Sequence, residues 1–178
     1  MKKGYIHVYT GNGKGKTTAA FGLALRAIGA GKNVYIGQFV KSMSYNENRL
    51  VELLQKADDS FGKLTIELLG RGCFIKNRPE EVDVQMAQEA LKNCAELLKG
   101  DTYEVIILDE LCIALYFGVV QLEEVLKALK ERNPKIEVII TGRKAPQELI
   151  DMADLVTDMK EVKHYYQQGV LSRNGIDR

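Results

Sequence analysis

At 178 residues the chain is sized for one domain with a core of its own, not for a multidomain assembly. Its 25 Lys and Arg against 24 Asp and Glu leave a net charge of +1, so it offers no electrostatic footprint for nucleic acid or an anionic membrane. No apolar run reaches transmembrane length, Met1-Lys2-Lys3 leads straight into a strand, and Cys73, Cys94 and Cys112 lack metal-ligand spacing; the expectation is a cytoplasmic protein with three reduced thiols in its core.

In chain order, Tyr5 to Tyr9 alternates as a strand and is followed by Thr10-Gly11-Asn12-Gly13-Lys14-Gly15-Lys16-Thr17-Thr18. A helix over Ala19–Ala30 places Phe21, Ala24, Ala27 and Ile28 at helical spacing, and Gly29 and Gly31 end it. Asn33 to Phe39 is a second strand, and Lys41 to Asn46 a polar loop at its end. Ser44 or Asn46 caps a helix from about Glu47 to Ala57, and Leu64 to Leu69 is a third strand. The spacing then predicts a long helix from Glu80 to Lys99 with Val82, Met86, Ala90, Cys94 and Leu97 as its buried stripe. Glu104 to Leu108 is a continuous apolar run, the mark of a strand covered on both faces, and it ends in Asp109-Glu110. A helix carries Leu122, Val125, Leu126 and Leu129; Ile136 to Thr141 is another buried strand; a short helix opens at Ala145 and runs to about Met152. Residues between Asp154 and Val162 contain a last strand, and His164 to Arg178 is a polar, weakly patterned tail. Strands alternating with helices imply an α/β fold with a mostly parallel sheet and helices on both faces.

Strand, glycine-rich loop, Gly-Lys-Thr and helix together are the layout of a phosphate-binding loop. Loop amides and the unpaired N–H groups of the first helical turn converge on one anion. Glycines permit close approach; Lys16 adds charge at the outer phosphates, Lys14 a second charge, and the Thr17 hydroxyl a ligand for Mg²⁺. The usual spacing has glycine where this loop has Thr10. Parallel sheets bind ligands beyond the C-terminal strand ends, which puts this loop, Lys41 to Asn46, Asp109-Glu110 and Thr141-Gly142-Arg143 on one rim. Asp109 and Glu110 are the carboxylates expected to reach Mg²⁺, directly or through water. A Glu at the Glu110 position also polarises the attacking water in many nucleotide hydrolases, and both jobs are open to it. Arg143 and Lys41 suit phosphate oxygens or the solvated surface equally. Phe74, in a glycine-flanked loop, is either a wall for a planar ligand or core. His7 reads as structural and His164 as solvated.

The run Val8 to Ala20, including Thr10 in place of glycine, resembles the ATP loop of the P-loop corrinoid adenosyltransferases. The likeness continues in order through Gln38-Phe39-Val40-Lys41, Leu108-Asp109-Glu110-Leu111, Leu122 to Val125, Val138 to Arg143, Ala153 to Val156, Val162-Lys163-His164, Gly169-Val170 and Gly175-Ile176-Asp177. It implies a three-layer P-loop nucleotide-binding fold of RecA-like type over residues 1–163, with residues 164–178 as a tail that acts as an active-site lid. It implies ATP as co-substrate with Mg²⁺, a reduced corrinoid as acceptor, a flavoprotein reductant and a homodimer. Co(I) attacks C5′ of ATP and displaces triphosphate, and the loop phosphates bind in the reverse sense to ordinary P-loop proteins. Gly11, Asn12, Gly13, Lys14, Gly15, Lys16, Thr17 and Thr18 carry over as the phosphate site, with Lys16 and Glu110 as the catalytic pair and Thr17, Glu110 and Asp109 as metal contacts.

Two features depart from the family pattern. The first strand begins almost at Met1, where members carry a segment that folds over the site, and Gly72-Cys73-Phe74-Ile75-Lys76 lacks the Trp of a Gly-Phe-Thr-Trp-like loop. Two other functions are compatible with the loop: an ATP-gated corrinoid-delivery protein, and a generic P-loop ATPase or small-molecule kinase. The first would release a slow single-turnover product only to a partner; the second would release phosphate without corrinoid.

Overall fold

The computed structural model describes residues 2–40, 46–49, 51, 54, 60–71 and 78–177. Its strands are β1 (Ile6–Thr10), β2 (Val34–Gln38), β3 (Leu64–Leu68), β4 (Val105–Asp109), β5 (Glu137–Thr141) and β6 (Leu155–Asp158). Its helices are α1 (Lys16–Gly29), α2 (Glu81–Lys99), α3 (Leu111–Tyr116), α4 (Leu122–Lys130) and α5 (Gln147–Met152). The sheet order is β3-β2-β4-β5-β1-β6, and every pairing is parallel. The α/β three-layer expectation holds.

The layers follow from strand alternation. Val34, Ile36, Val105, Ile107 and Ile139 face α1 and pack with Ala20, Phe21, Ala24, Ala27 and Ile28. Their neighbours Tyr35, Ile106, Leu108, Val138 and Ile140 face the opposite core with Ala90, Leu91, Cys94, Leu111, Val125, Leu129 and Leu149. Each such aliphatic side chain contributes about 1.5–3 kcal/mol by leaving water. β5 lies between β4 and β1, with Tyr9 beside Thr141, so the C-terminal ends of all three strands share one rim.

Four sequence expectations change. Helix α1 begins at Lys16, not Ala19, because Gly15 in a left-handed conformation turns the loop directly into the helix. In α2 the buried stripe is Ala87, Ala90, Leu91, Cys94 and Leu98, while Val82 and Met86 are exposed. The shift follows from the helix start: Glu80 caps the helix reciprocally with Asp83, and Asp83 is buried while bonded to Arg71. Helix α3 was not expected, since so short a helix completes no periodic pattern. Residues Asn46–Arg49 form a 3₁₀ turn, and Val51 and Leu54 are helical and pack on the α1 side; the remainder of the helix expected there, including Ser44, lies outside the described residues.

Cys94 and Cys112 are buried free thiols, and burial pushes each up to about 12. Cys73 lies outside the described residues. His7 is structural, with Nε2 2.7 Å from Glu137 and Nδ1 3.2 Å from the Tyr9 hydroxyl. Among the described residues no helix is long and apolar enough to cross a membrane.

Candidate active site

Three strands end in a buried polar residue: β2 in Gln38, β4 in Asp109 and β5 in Thr141. Asp109 and Gln38 are register partners on adjacent strands, and Thr141 comes from the next strand over. Asp109 gathers them. Its Oδ1 accepts from the Thr141 hydroxyl at 2.7 Å and the Thr17 hydroxyl at 2.8 Å, and its Oδ2 accepts from the Gln38 amide at 3.0 Å. A carboxylate with no exposed surface is stable only when its oxygens are satisfied in this way. Thr141 Oγ1 also accepts from the backbone N–H of Glu110 at 2.9 Å. Glu110 itself sits at φ 60°, a left-handed conformation unusual for a non-glycine residue, and is half-buried at the rim.

The phosphate loop is held from two sides. Inside it, the buried Lys16 ammonium donates to the carbonyl oxygens of Gly11 at 2.8 Å and Gly13 at 2.6 Å. Burial pushes the Lys16 pKa down; Glu110 and Asp158 oppose this and Arg143 adds to it, so all three charges act on that ammonium. Outside the loop runs the chain leaving β6. Gly13 N–H donates to Met159 O at 2.6 Å, and Met159 N–H donates to Thr10 O at 2.9 Å. This packing gives the glycines a second reason beyond phosphate approach. A Cβ on Gly11, at φ 94°, would sit 2.2 Å from Asp158 Oδ1, and one on Gly13 would sit 2.6 Å from Met159 O. A depression of about 410 Å³ flanks the first half of the loop, between Thr10, Gly11 and Asn12 on one side and Lys144, Asp158 and Lys160 on the other.

The structure thus brings together Gly11, Gly13, Gly15, Lys16, Thr17, Asp109 and Glu110, with the exposed Arg143 close enough to act on Lys16. Asn12 and Thr18 are exposed. Lys41 and Phe74 lie outside the described residues. Lys14 has other partners than Lys16 does: its ammonium meets the Tyr165 hydroxyl, the Ile176 carbonyl and the Asp177 carboxylate of the tail. Gln38, Asp158, Tyr165 and Asp177 were not among the candidate site residues, and Thr141 was placed on the rim without a role. Gln38 and Thr141 had a readable signal, a polar residue closing an apolar strand just as Asp109 does; Tyr165 had none, and Asp177 only its place in the family likeness.

A family model described as "ATP:corrinoid adenosyltransferase BtuR/CobO/CobP" matches residues 2–177. The chain belongs to this family. A corrinoid adenosyltransferase of Escherichia coli (strain K12) is 37% identical over 176 residues, covering 99% of this chain and 86% of that protein. The corrinoid adenosyltransferase CobA of Salmonella typhimurium (strain LT2) has the same identity and coverage. A corrinoid adenosyltransferase of Sinorhizobium sp is 36% identical over 179 residues, covering 99% of this chain and 81% of that protein. As a member of the corrinoid adenosyltransferase family, the chain is an enzyme that adenosylates corrinoids with ATP. The loop, Asp109 and Thr141 all fall within the matched span.

Proposed function

We propose that MgATP binds with its triphosphate on the Gly11–Thr17 loop, held for attack at C5′ by the Co(I) of a reduced corrinoid. The Co–C bond forms as the C5′–O bond breaks, and triphosphate leaves with the electron pair. The observation that carries this reading is the bonded unit Thr17–Asp109–Thr141 closing the phosphate loop against the strand ends.

The reaction is substitution at carbon, so the protein's work is alignment and charge neutralisation rather than proton transfer. Loop amides and the N-terminus of α1 face the triphosphate. Lys16 exchanges the carbonyls of Gly11 and Gly13 for phosphate oxygens and stabilises the leaving group. Arg143 adds a second cation near it. The donor set at the rim is hard oxygen throughout: the Thr17 hydroxyl with the carboxylates of Glu110 and Asp109. That chemistry suits Mg²⁺, which supplies further neutralisation of the triphosphate when bound. Asp109 is fully enclosed, so its main part is to orient Thr17, while half-buried Glu110 is the rim carboxylate. The reverse phosphate sense of the family agrees with Thr10 in place of glycine. Lys41 as a phosphate contact rests on its place just past β2, and Phe74 as part of the corrin wall rests on resemblance. The flavoprotein reductant and the homodimer also rest on resemblance, and the cytoplasmic setting on the composition of the chain.

The test is anaerobic: protein, MgATP and chemically reduced cob(I)alamin, followed by visible spectrum and by analysis of the phosphate species. A light-sensitive adenosylcobalamin spectrum with intact triphosphate is expected. Phosphate or ADP released regardless of corrinoid, with no Co–C product, would sink the proposal.

A further inference from the structure

The chain from Met159 to Asp177 grips the phosphate loop at two adjacent residues. Met159 O takes the Gly13 N–H at 2.6 Å. The tail's Tyr165 hydroxyl at 3.0 Å, Ile176 carbonyl at 2.7 Å and Asp177 carboxylate hold the Lys14 ammonium. The carboxylate is itself built in. It accepts from the Tyr165 hydroxyl, from Arg173 N–H at 3.1 Å and from Arg173 Nε at 3.2 Å, and the Arg173 guanidinium stacks 4.5 Å from the Tyr165 ring centre. Asn46 Nδ2 donates to Asn174 Oδ1 at 2.6 Å, tying the same tail to the chain beyond β2.

An ammonium has three N–H donors. Three tail oxygens hold them, so Lys14 reaches a phosphate only by releasing a tail partner. A network in which several side chains are already ordered loses less entropy per contact than an isolated surface pair. The same contacts raise the Lys14 pKa and hold the Asp177 carboxyl below the usual carboxylate range. Lys14 is therefore held in its charged form while it faces the tail.

We propose that Asp177 is an internal counter-anion competing with the triphosphate for Lys14, so that filling the phosphate loop unlatches the 164–177 tail. The two events are linked: whatever ligand binding does to the tail, loss of the tail contact does in reverse to affinity. This inference rests on the phosphate-loop reading and adds to it a residue that lowers affinity while the tail is latched.

The probe is inorganic tripolyphosphate, with its binding measured by calorimetry and the 164–177 amides followed by hydrogen exchange. In the unaltered protein, saturation speeds exchange of those amides. Asp177→Asn binds the probe roughly fivefold more tightly and exchanges fast without it. Tyr165→Phe, which keeps the ring under Arg173, shifts both readouts the same way by less, and serves alone if Asp177→Asn does not fold. Slower or unchanged exchange on saturation, or equal or weaker binding by the variants, overturns the latch and leaves the phosphate loop standing. No binding to the unaltered protein removes the phosphate-loop reading itself and the latch with it.

Discussion

Two carboxylates in this molecule are surrounded by donors, and they differ in what surrounds the donors. Asp109 takes the hydroxyls of Thr17 and Thr141 and the amide of Gln38, all at strand ends or a helix start, with no exposed surface. Asp177 takes Lys14, Tyr165 and Arg173 half-buried near the surface, on a tail whose own backbone bonds are the 3₁₀ turn at Tyr165–Gln168 and a turn at Arg173–Asp177. The buried cluster cannot lose one member cheaply, because the rest would be left unpaired where no water replaces them. The half-buried one can more readily, because water reaches the tail and replaces a lost partner. The rim is thus a fixed frame and the tail a releasable one, and the same pairing chemistry serves opposite purposes.

The sharpest way to break this contrast is at the two loop lysines. Lys16→Ala removes the cation on the frame side and is expected to lower kcat/KM by about 10²–10³, read from initial rates of Co–C bond formation. Lys14→Ala is expected to cost far less, since Lys14 already divides its bonds with the tail. Equal losses would mean that the two lysines share one role.

A smaller effect is expected at the two carboxylates. Asp109→Ala strands two hydroxyls and an amide in the core and should cost about 3 kcal/mol of stability by denaturant unfolding. Asp177→Asn should leave the unfolding midpoint where it was. A large loss from Asp177→Asn would make the tail part of the frame.

The smallest effect is on pH. Lys14 and the Tyr165 hydroxyl hold Asp177 below the ordinary carboxylate range, so its folded-state pKa is depressed. Such a group contributes fully above the unfolded carboxylate pKa, and the contribution is lost as pH falls through the folded value. Protection of the 164–177 amides, corrected for intrinsic exchange, should therefore hold from neutral pH down to the ordinary carboxylate pKa and fall progressively as pH drops below it toward the depressed folded value. Loss of protection near neutral pH would point to another group as the latch.

Much of the frame could be read along the chain. Glycine, lysine and threonine between an apolar strand and a helix have few other uses, and four buried apolar residues before Asp109 mark a central strand whose last residue meets the rim. The ordered likeness from Val8 to Asp177 reached the family that the comparisons then showed. In the expected stripe of α2, Ala90 and Cys94 are buried but Val82 and Met86 are not: both fit the helical period, while the cap at Glu80 and the Arg71–Asp83 pair set which face turns inward. The likeness marked the tail and its Gly175-Ile176-Asp177, but the partners it makes were not legible. Tyr165, Arg173 and Asp177 have no spacing that identifies them, and they matter only because Lys14 stands where they converge.

By itself, then, the sequence determined the strand–loop–helix of phosphate-loop layout, the α/β class and the carboxylates at the end of β4, because local periodicity and backbone preference act over a few residues. The tertiary structure decided which polar groups share one carboxylate. It decided that Gly11 and Gly13 must clear the chain after β6, and that Lys14 belongs to the tail as much as to the loop. These depend on strand order and on contacts between residues 32 to 163 positions apart, which no local pattern encodes.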